Sequence, residues 1–122
     1  MKTLVTGATG LVGNNMVRTL IERGGHVRVL VRNRDARPLE GLNLEVYQGD
    51  LRDAAAVVQA ASGVDLIIHA AARVKIGRAH LERFREVNVE GTRNVANAAR
   101  ENGIRLIHVS STDTVGFKSL DE

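Results

Sequence analysis

The sequence predicts an α/β protein with a doubly wound parallel sheet, and three observations support that prediction. Short apolar runs typical of strands alternate with helical patterns along the 122 residues. The run Val64–His69 is almost wholly apolar, as expected of a central parallel strand covered on both faces. Near the N-terminus, an apolar run is followed by Gly7, Gly10 and Gly13 and then by a helical pattern. Right-handed crossovers between such strands build a sheet with helices on both faces.

Five strands are predicted, and each is short and rich in Val, Leu or Ile. The first contains Leu4 and Val5 and starts almost at the first residue. The other four are Val27–Val31, Leu44–Tyr47, Val64–His69 and Ile104–Val109. No sixth apolar run follows, so the predicted sheet is truncated after about five strands.

Three helices are predicted between these strands. The first runs to about Arg23 and ends at a Gly-Gly pair. The second, from Asp53 to about Ala61, can be capped by the Asp53 carboxylate. The third occupies roughly Leu81 to Glu101. The first helix shows one apolar stripe, formed by Leu11, Val12, Met16, Val17, Leu20 and Ile21.

The composition excludes several classes of protein. Apolar residues make up 43% but aromatic residues only 2%, so the core must consist of Val, Leu, Ile and Ala. The absence of cysteine excludes disulfides and thiolate metal sites and fits a cytoplasmic location. The four histidines lie too far apart to suggest a metal site. No apolar run approaches the ~18–20 residues that span a bilayer, and the net charge of +3 comes with scattered arginines. We expect one domain over residues 1–122, without a membrane or nucleic-acid partner.

The carboxyl ends of parallel strands meet at one edge of a sheet, which is where doubly wound sheets bind ligands. All five predicted strand ends carry a small or polar residue, so together they can form one groove. These ends are Thr6-Gly7, Arg32, Asp50-Leu51, His69-Ala70-Ala71 and Ser110-Ser111-Thr112.

The glycines after the first strand predict an anion site. The first N–H groups of a helix have no partner within the helix, and the macrodipole adds partial positive charge there. Glycine also lacks the Cβ atom that would hold a pyrophosphate away from the backbone. The spacing GxxGxxG differs from the GxGxxG fingerprint, and three glycines can serve only a tight turn. We interpret the stretch as the phosphate site of a dinucleotide.

Five motifs follow one another along the chain. They are TGATGLVG at Thr6–Gly13, GDL at Gly49–Leu51, IIHAAA at Ile67–Ala72, NVEGT at Asn88–Thr92 and HVSST at His108–Thr112. In order and spacing they resemble the N-terminal part of the extended short-chain dehydrogenase/reductases, also called NAD(P)-dependent epimerase/dehydratases. The resemblance implies a Rossmann-like fold and a nicotinamide dinucleotide as cofactor.

The resemblance also implies which residues bind the cofactor. Asp50 would accept a hydrogen bond from the adenine amino group, and the alanines after the fourth strand would let the backbone pass close to the nicotinamide-side ribose. A solvated Asp50 and a tightly packed strand end are the structural alternatives. The implied set is Gly7, Thr9, Gly10, Leu11, Val12, Gly13, Asp50, Leu51, Ala70, Ala71, Ala72 and Ser110.

Asn88 is a further candidate, indicated by helical periodicity. Phe84, Asn88, Gly91 and Val95 share one helix face, which places a carboxamide on the buried side. An unpaired buried amide costs about 1–3 kcal/mol. Asn88 should therefore bond either to the backbone, in a structural role, or to the cofactor.

Arg32 favours NADP as the cofactor. NAD-specific sites place an acid near the end of the second strand for the ribose 2′-OH. Arg32 occupies that place here, Arg34 and Arg37 follow, and the nearest acid, Asp35, lies beyond the strand. A guanidinium suits a 2′-phosphate through charge-assisted bidentate hydrogen bonds. An ordinary solvated arginine cluster is the alternative, with NAD as the other cofactor.

Catalysis in the family uses a Ser or Thr after the fifth strand and a Tyr-x-x-x-Lys pair whose tyrosine is the general acid/base. The resemblance makes Ser111 and Thr112 the catalytic candidates. The pair is missing, because the only tyrosine, Tyr47, has Leu51 four residues on. The chain alone is therefore expected to be inactive. It is either the cofactor-binding part of a nucleotide-sugar epimerase or carbonyl reductase, or a non-catalytic NADP-binding sensor or scaffold.

Three partners are expected: the dinucleotide, a small-molecule substrate of the complete enzyme, and further copies of the chain. A nucleotide sugar is one option for the substrate. The fifth strand leaves apolar Leu106, Ile107 and Val109 at the sheet edge with unpaired backbone groups. The third helix also lacks a partner helix, which exposes more apolar surface. We expect a homo-oligomer.

Overall fold

A computed structural model describes residues 1–34, 36–71 and 85–109 of the 122-residue chain. Ala72, Phe84, Ser110, Ser111 and Thr112 lie outside the described residues. No helix within the described ranges is long and apolar enough to cross a membrane.

Within the described ranges, the chain forms five strands and three α-helices. A short 3-10 turn, Arg37–Leu39, lies between the second and third strands, and a π-helical segment, Arg85–Glu90, leads into the last helix. The strands are β1 (Lys2–Thr6), β2 (His26–Val31), β3 (Glu45–Gln48), β4 (Leu66–His69) and β5 (Arg105–His108), and the helices are α1 (Leu11–Glu22), α2 (Ala54–Ala61) and α3 (Gly91–Asn102).

The strands form one parallel sheet in the order β3-β2-β1-β4-β5. The central strand β1 pairs with β2 up to Thr6 opposite Leu30, and with β4 up to Thr6 opposite His69. This arrangement confirms the predicted doubly wound sheet. The strand order reverses between β1 and β4, so their carboxyl ends flank the crevice in which sheets of this kind bind ligands.

Each face of the sheet carries its own apolar core. Leu4 and Val5 are both fully buried but point to opposite faces, as the two-residue period of a strand requires. On the side of Leu4, Val57 of α2 and Val95 of α3 pack against the sheet. On the side of Val5, Val17 of α1 does so. Val, Leu, Ile and Ala supply the buried residues of both cores, as the composition predicts.

The first turn of α1 departs from the predicted apolar stripe. The later turns are buried or half-buried on that side, but Leu11 is 82% exposed and Val12 is 46% exposed. The predicted stripe is therefore buried or half-buried only at Met16, Val17, Leu20 and Ile21.

The segment before α3 also differs from prediction. Periodicity predicts a continuous α-helix, whereas Arg85–Glu90 is π-helical, with the wider i→i+5 turn. Gly91 and Val95 are buried as predicted, and Asn88 is half-buried. The predicted common face therefore holds along α3, while Asn88 in the π-helical segment is only half-buried.

Candidate functional site

A groove of about 700 Å³ opens at the carboxyl ends of β1, β2, β3 and β4. Its walls are the turn after β1, the end of β2 with the following loop, the segment after β3 and the end of β4. They comprise residues 7–10, 30–33, 36, 38, 49–51 and 70–71. The groove thus brings together the predicted residues Gly7, Thr9, Gly10, Arg32, Asp50, Leu51, Ala70 and Ala71.

Gly7 and Gly13 are glycines that the fold itself requires. Gly7 has a φ of +75°, and a Cβ atom there would lie 2.5 Å from the Ala71 nitrogen. A Cβ atom at Gly13 would overlap the Gly7 carbonyl group. The two glycines therefore allow the turn to pack closely against the end of β4 and against helix α1.

Gly10 differs, because the surrounding described residues leave room for a side chain. Its backbone is extended, with φ −86° and ψ 172°, and a Cβ atom would meet the Gly7 carbonyl oxygen at an ordinary contact distance of 3.5 Å. Gly10 is the N-cap of α1 and lines the groove. Behind it lie the N–H groups of Leu11, Val12 and Gly13, which have no partner inside the helix. The first turn contains no acidic residue, so the positive end of the helix dipole is not neutralised there.

Two hydrogen bonds hold the end of β2 at the edge of the groove. The Gln48 Nε2 donates to the Arg32 carbonyl at 3.1 Å, and the Gly49 N–H donates to the Val31 carbonyl at 2.9 Å. They extend the pairing of β2 with β3 and fix the Arg32 backbone, while the Arg32 side chain is exposed. Arg34 and Arg37 are exposed in the same loop. Three exposed arginines thus lie in or beside this corner of the groove.

Arg52 holds the Asp50 carboxylate from two sides. Its Nη2 donates to Oδ2 at 2.7 Å and its backbone N–H donates to Oδ1 at 2.9 Å. The side-chain hydrogen bonds from Arg52 lower the pKa of Asp50 to about 2 against the opposing effect of burial, and the charge of Arg32 acts in the same direction as Arg52. Asp50 is therefore an ionised, acceptor-only group at neutral pH.

Two other polar residues that the sequence singled out lie outside the lining of the groove. Asp53 caps α2 as predicted, because its Oδ1 accepts from the Ala55 N–H at 3.1 Å and from the next N–H at 3.3 Å. Asn88 is half-buried in the π-helical segment and is engaged in an interaction. Helix α3 is joined to the groove by Asn94, whose Nδ2 donates to the Leu51 carbonyl at 2.8 Å.

His69 lies fully buried at the end of β4 and links three elements. Its Nδ1 is 2.6 Å from the Thr6 Oγ1 at the end of β1, and its Nε2 is 2.9 Å from the Thr92 Oγ1 of α3. The Ala71 N–H donates to the Thr6 Oγ1 at 3.4 Å, so the Thr6 hydroxyl can donate to Nδ1 and leave the proton on Nε2. Burial, with a smaller effect from the stacked His108 ring, lowers the pKa of His69 to about 4. The ring is therefore neutral at pH 7.

Four side chains that hold the groove were not indicated by the sequence motifs: Asn14, Gln48, Arg52 and Asn94. Three of them bond to backbone carbonyls of distant segments, and no local pattern indicates such a partner. Arg52 is the exception, since an arginine two residues after Asp50 offers an opposite charge within reach. Among the residues that the structure describes, no group of three or more His, Asp or Glu side chains could hold a metal ion.

A glycine turn at the end of the central parallel strand, an open helix N-terminus and a groove across the strand ends define a Rossmann-like dinucleotide-binding domain. Residues 3–121 match the NAD dependent epimerase/dehydratase family, and the chain belongs to this family. The resemblance predicted from the five motifs is confirmed.

Relatives agree with this assignment. The chain is 44% identical over 119 residues to sterol demethylase protein B of Methylococcus capsulatus, covering 96% of this chain and 36% of that protein. It is 43% identical over 108 residues to ceramide reductase of Caulobacter vibrioides, covering 88% and 33%. A solved short-chain dehydrogenase/reductase superfamily protein from Agrobacterium tumefaciens with bound NAD has a TM-score of 0.83 at 32% identity, with 95% and 34% covered. The chain spans about a third of the length of these relatives.

Proposed function

We propose that this chain binds NADP and is the cofactor-binding part of an oxidoreductase that interconverts a carbonyl group and an alcohol on a large apolar substrate. The observation that carries the proposal is the turn at Gly10. A side chain would fit there without a clash, yet glycine stands beside unpaired helix N–H groups on the wall of a large groove. This combination fits a pyrophosphate, which must approach the backbone closely. When bound, the nicotinamide ring would supply or accept the hydride.

Different residues of the groove would contact different parts of the cofactor. Gly10 and the N–H groups of the first turn of α1 hold the pyrophosphate. Asp50 accepts from the adenine amino group, since Arg52 keeps it ionised. Ala70 lets the backbone lie close to the nicotinamide-side ribose. Further contacts are assigned to Gly7, Thr9, Leu11, Val12, Gly13, Leu51, Ala71, Ala72, Asn88 and Ser110.

The choice of NADP depends on Arg32. Its exposed side chain at the end of β2 is joined in the same loop by those of Arg34 and Arg37, so a ribose 2′-phosphate would meet concentrated positive charge. The Agrobacterium tumefaciens relative contains NAD, which makes NAD the alternative.

The cofactor preference is tested by calorimetric titration of the chain with NADP and NAD. Hydrogen bonds to a charged group are worth about 1.5–3 kcal/mol, so Arg32→Ala should weaken NADP binding about ten- to a hundredfold and NAD binding much less. Arg23→Ala is the matched control, because Arg23 is exposed at the far end of α1. Equal affinities of the unmutated chain for the two dinucleotides would contradict the NADP assignment.

Ser111 and Thr112 are the proposed catalytic residues, with a hydroxyl that orients the substrate oxygen. A hydroxyl alone cannot move a proton at neutral pH without a tuned partner. The isolated chain should therefore leave nicotinamide absorbance at background with sterol ketones, other lipid carbonyl compounds and nucleotide sugars. Turnover that is lost in Ser111→Ala would contradict this and reveal another acid/base.

The substrate class is supported by two relatives, which are named for a sterol and for ceramide, both large apolar compounds. Where this chain is continued by a Tyr-x-x-x-Lys segment, we expect turnover of lipid ketones or alcohols. Turnover of nucleotide sugars alone would favour an epimerase. A continuation without that segment would favour the non-catalytic module.

A further inference from the structure

Two walls of the groove are joined by a side chain outside the sequence motifs. Asn14, half-buried on α1, donates from Nδ2 to the Ala8 carbonyl at 3.1 Å and to the Pro38 carbonyl at 2.9 Å. Ala8 belongs to the glycine turn and Pro38 to the β2–β3 loop (residues 32–34 and 36–44), and both line the groove. A carboxamide nitrogen has two donors, so both are used in joining these walls.

Arg18 braces this contact from the next turn of the helix. Its Nε donates to the Asn14 Oδ1 at 2.9 Å, and its Nη2 lies 3.4 Å from the Pro38 carbonyl oxygen. The carboxamide is thus held at both ends, which fixes its orientation. Apolar side chains also anchor the loop: Leu39 is buried in the core on this side, and Leu42 and Leu44 pack against it. Asn14 and Arg18 add the polar half of the anchor.

The position of the loop matters because of what it carries. Arg32, Arg34 and Arg37 all belong to it and are exposed, and Ala36 and Pro38 form the groove wall beside them. A bidentate contact between a guanidinium and a phosphate requires defined geometry. A loop that moves away from α1 would widen the groove and separate these cations from a bound ribose.

We propose that Asn14, braced by Arg18, is a positioning residue that fixes the β2–β3 loop against the glycine turn. It thereby sets the affinity of the groove for the adenosine half of the dinucleotide, above all for a ribose with a 2′-phosphate. This inference rests on the proposed function of the groove. Asn14 itself acts through the loop and does not contact the phosphate.

The first test titrates the unmutated chain and the variants Asn14→Ala, Asn14→Asp and Asn15→Ala with NADP and NAD. Loss of two hydrogen bonds should weaken NADP binding about tenfold in Asn14→Ala and NAD binding by a smaller factor. Asn14→Asp should lose at least as much, because a carboxylate oxygen would face two carbonyl oxygens. Asn15→Ala is the control, since Asn15 is an exposed neighbour outside these contacts.

A ligand-free measurement separates positioning from general destabilisation. The loop amides of Leu39 and Leu42 donate to the carbonyls of Ala36 and Leu39. Hydrogen exchange at these amides should be faster in Asn14→Ala, while exchange in β1 stays as in the unmutated chain. Equal acceleration in β1 and in the loop would overturn the positioning role.

The outcomes of the titrations are distinct. If the unmutated chain binds neither dinucleotide, the proposed function fails, and the inference fails with it. If the unmutated chain binds NADP and Asn14→Ala binds it as tightly as Asn15→Ala, the role of Asn14 is overturned and the proposed function stands. Should Asn14→Ala not fold, Arg18→Ala decides, because it removes the brace from an exposed helix position. An unchanged NADP affinity in Arg18→Ala would then overturn the inference.

Discussion

Acidification from pH 6.5 to about 5 should destabilise the protein mainly through one side chain, His69. The ring is fully buried, and each of its nitrogens faces a threonine hydroxyl, an arrangement that suits the neutral form. A proton added to Nδ1 would meet a hydroxyl that already receives the Ala71 N–H, and the new charge would be buried beside the stacked His108 ring.

The size of the effect follows from the two pKa values. Burial lowers the pKa of His69 from 6.5 to about 4, so the unfolded chain binds the proton more readily than the folded protein between these pH values. Because each pKa unit corresponds to about 1.4 kcal/mol, the free energy of unfolding should fall by about 3 kcal/mol as the pH drops from 6.5 to about 4. Above pH 6.5 this contribution is fully present.

Urea unfolding at a series of pH values measures how the free energy of unfolding changes with pH. Asp50 contributes only at lower pH, because its stabilising effect is lost as the pH falls from 3.8 towards about 2. The interval between pH 6.5 and 5 therefore reports mainly His69. His69→Gln should be less stable at pH 7 and should show a much flatter profile in that interval. A flat profile in the unmutated protein, or an unchanged slope in His69→Gln, would refute the reasoning.

Three further predictions follow from the fold. Gly7→Ala should lower the free energy of unfolding by well over 2 kcal/mol, because a positive φ and a backbone clash combine. Gly24→Ala should lower it by only about 1 kcal/mol, since Gly24 has a positive φ but open space around it. Denaturant titration of the two variants measures the difference. Asp53→Ala should cost about 1 kcal/mol through the lost α2 cap and Asp53→Asn much less, by the same assay. The chain should self-associate through the edge strand β5, so Ile107→Lys should shift light scattering towards the monomer at equal concentration; an unchanged mass would argue against this edge.

The fold could be predicted because its signals are local. Strand and helix periods, the Gly-Gly end of α1 and the Asp53 cap each lie within a few neighbouring residues, and they agree with the structure except at the first turn of α1 and in the π-helical segment before α3. The strand ends then follow from topology, so the sequence predicts the groove residues from Gly7 to Ala71 without any knowledge of side-chain positions.

The supports of the groove could not be predicted for the opposite reason. Asn14 and Pro38 are 24 residues apart, and Asn94 and Leu51 are 43 apart, so their bonds depend on how the layers pack. The spacing of the histidines argues against a metal site at His69, but periodicity does not indicate that two threonines flank its ring. The apolar stripe of α1 likewise does not indicate that Leu11, its first member, is exposed.

The most direct test of the central claim, that the glycine turn holds a dinucleotide pyrophosphate, is calorimetric titration of Gly10→Ala with NADP. The extended backbone and the single contact at 3.5 Å mean that the fold should tolerate the new Cβ atom, at a cost of about 1 kcal/mol or less in unfolding free energy. The same Cβ atom should hold the pyrophosphate off the helix N–H groups and weaken binding at least about tenfold. A folded Gly10→Ala variant that binds NADP as tightly as the unmutated chain would contradict the account.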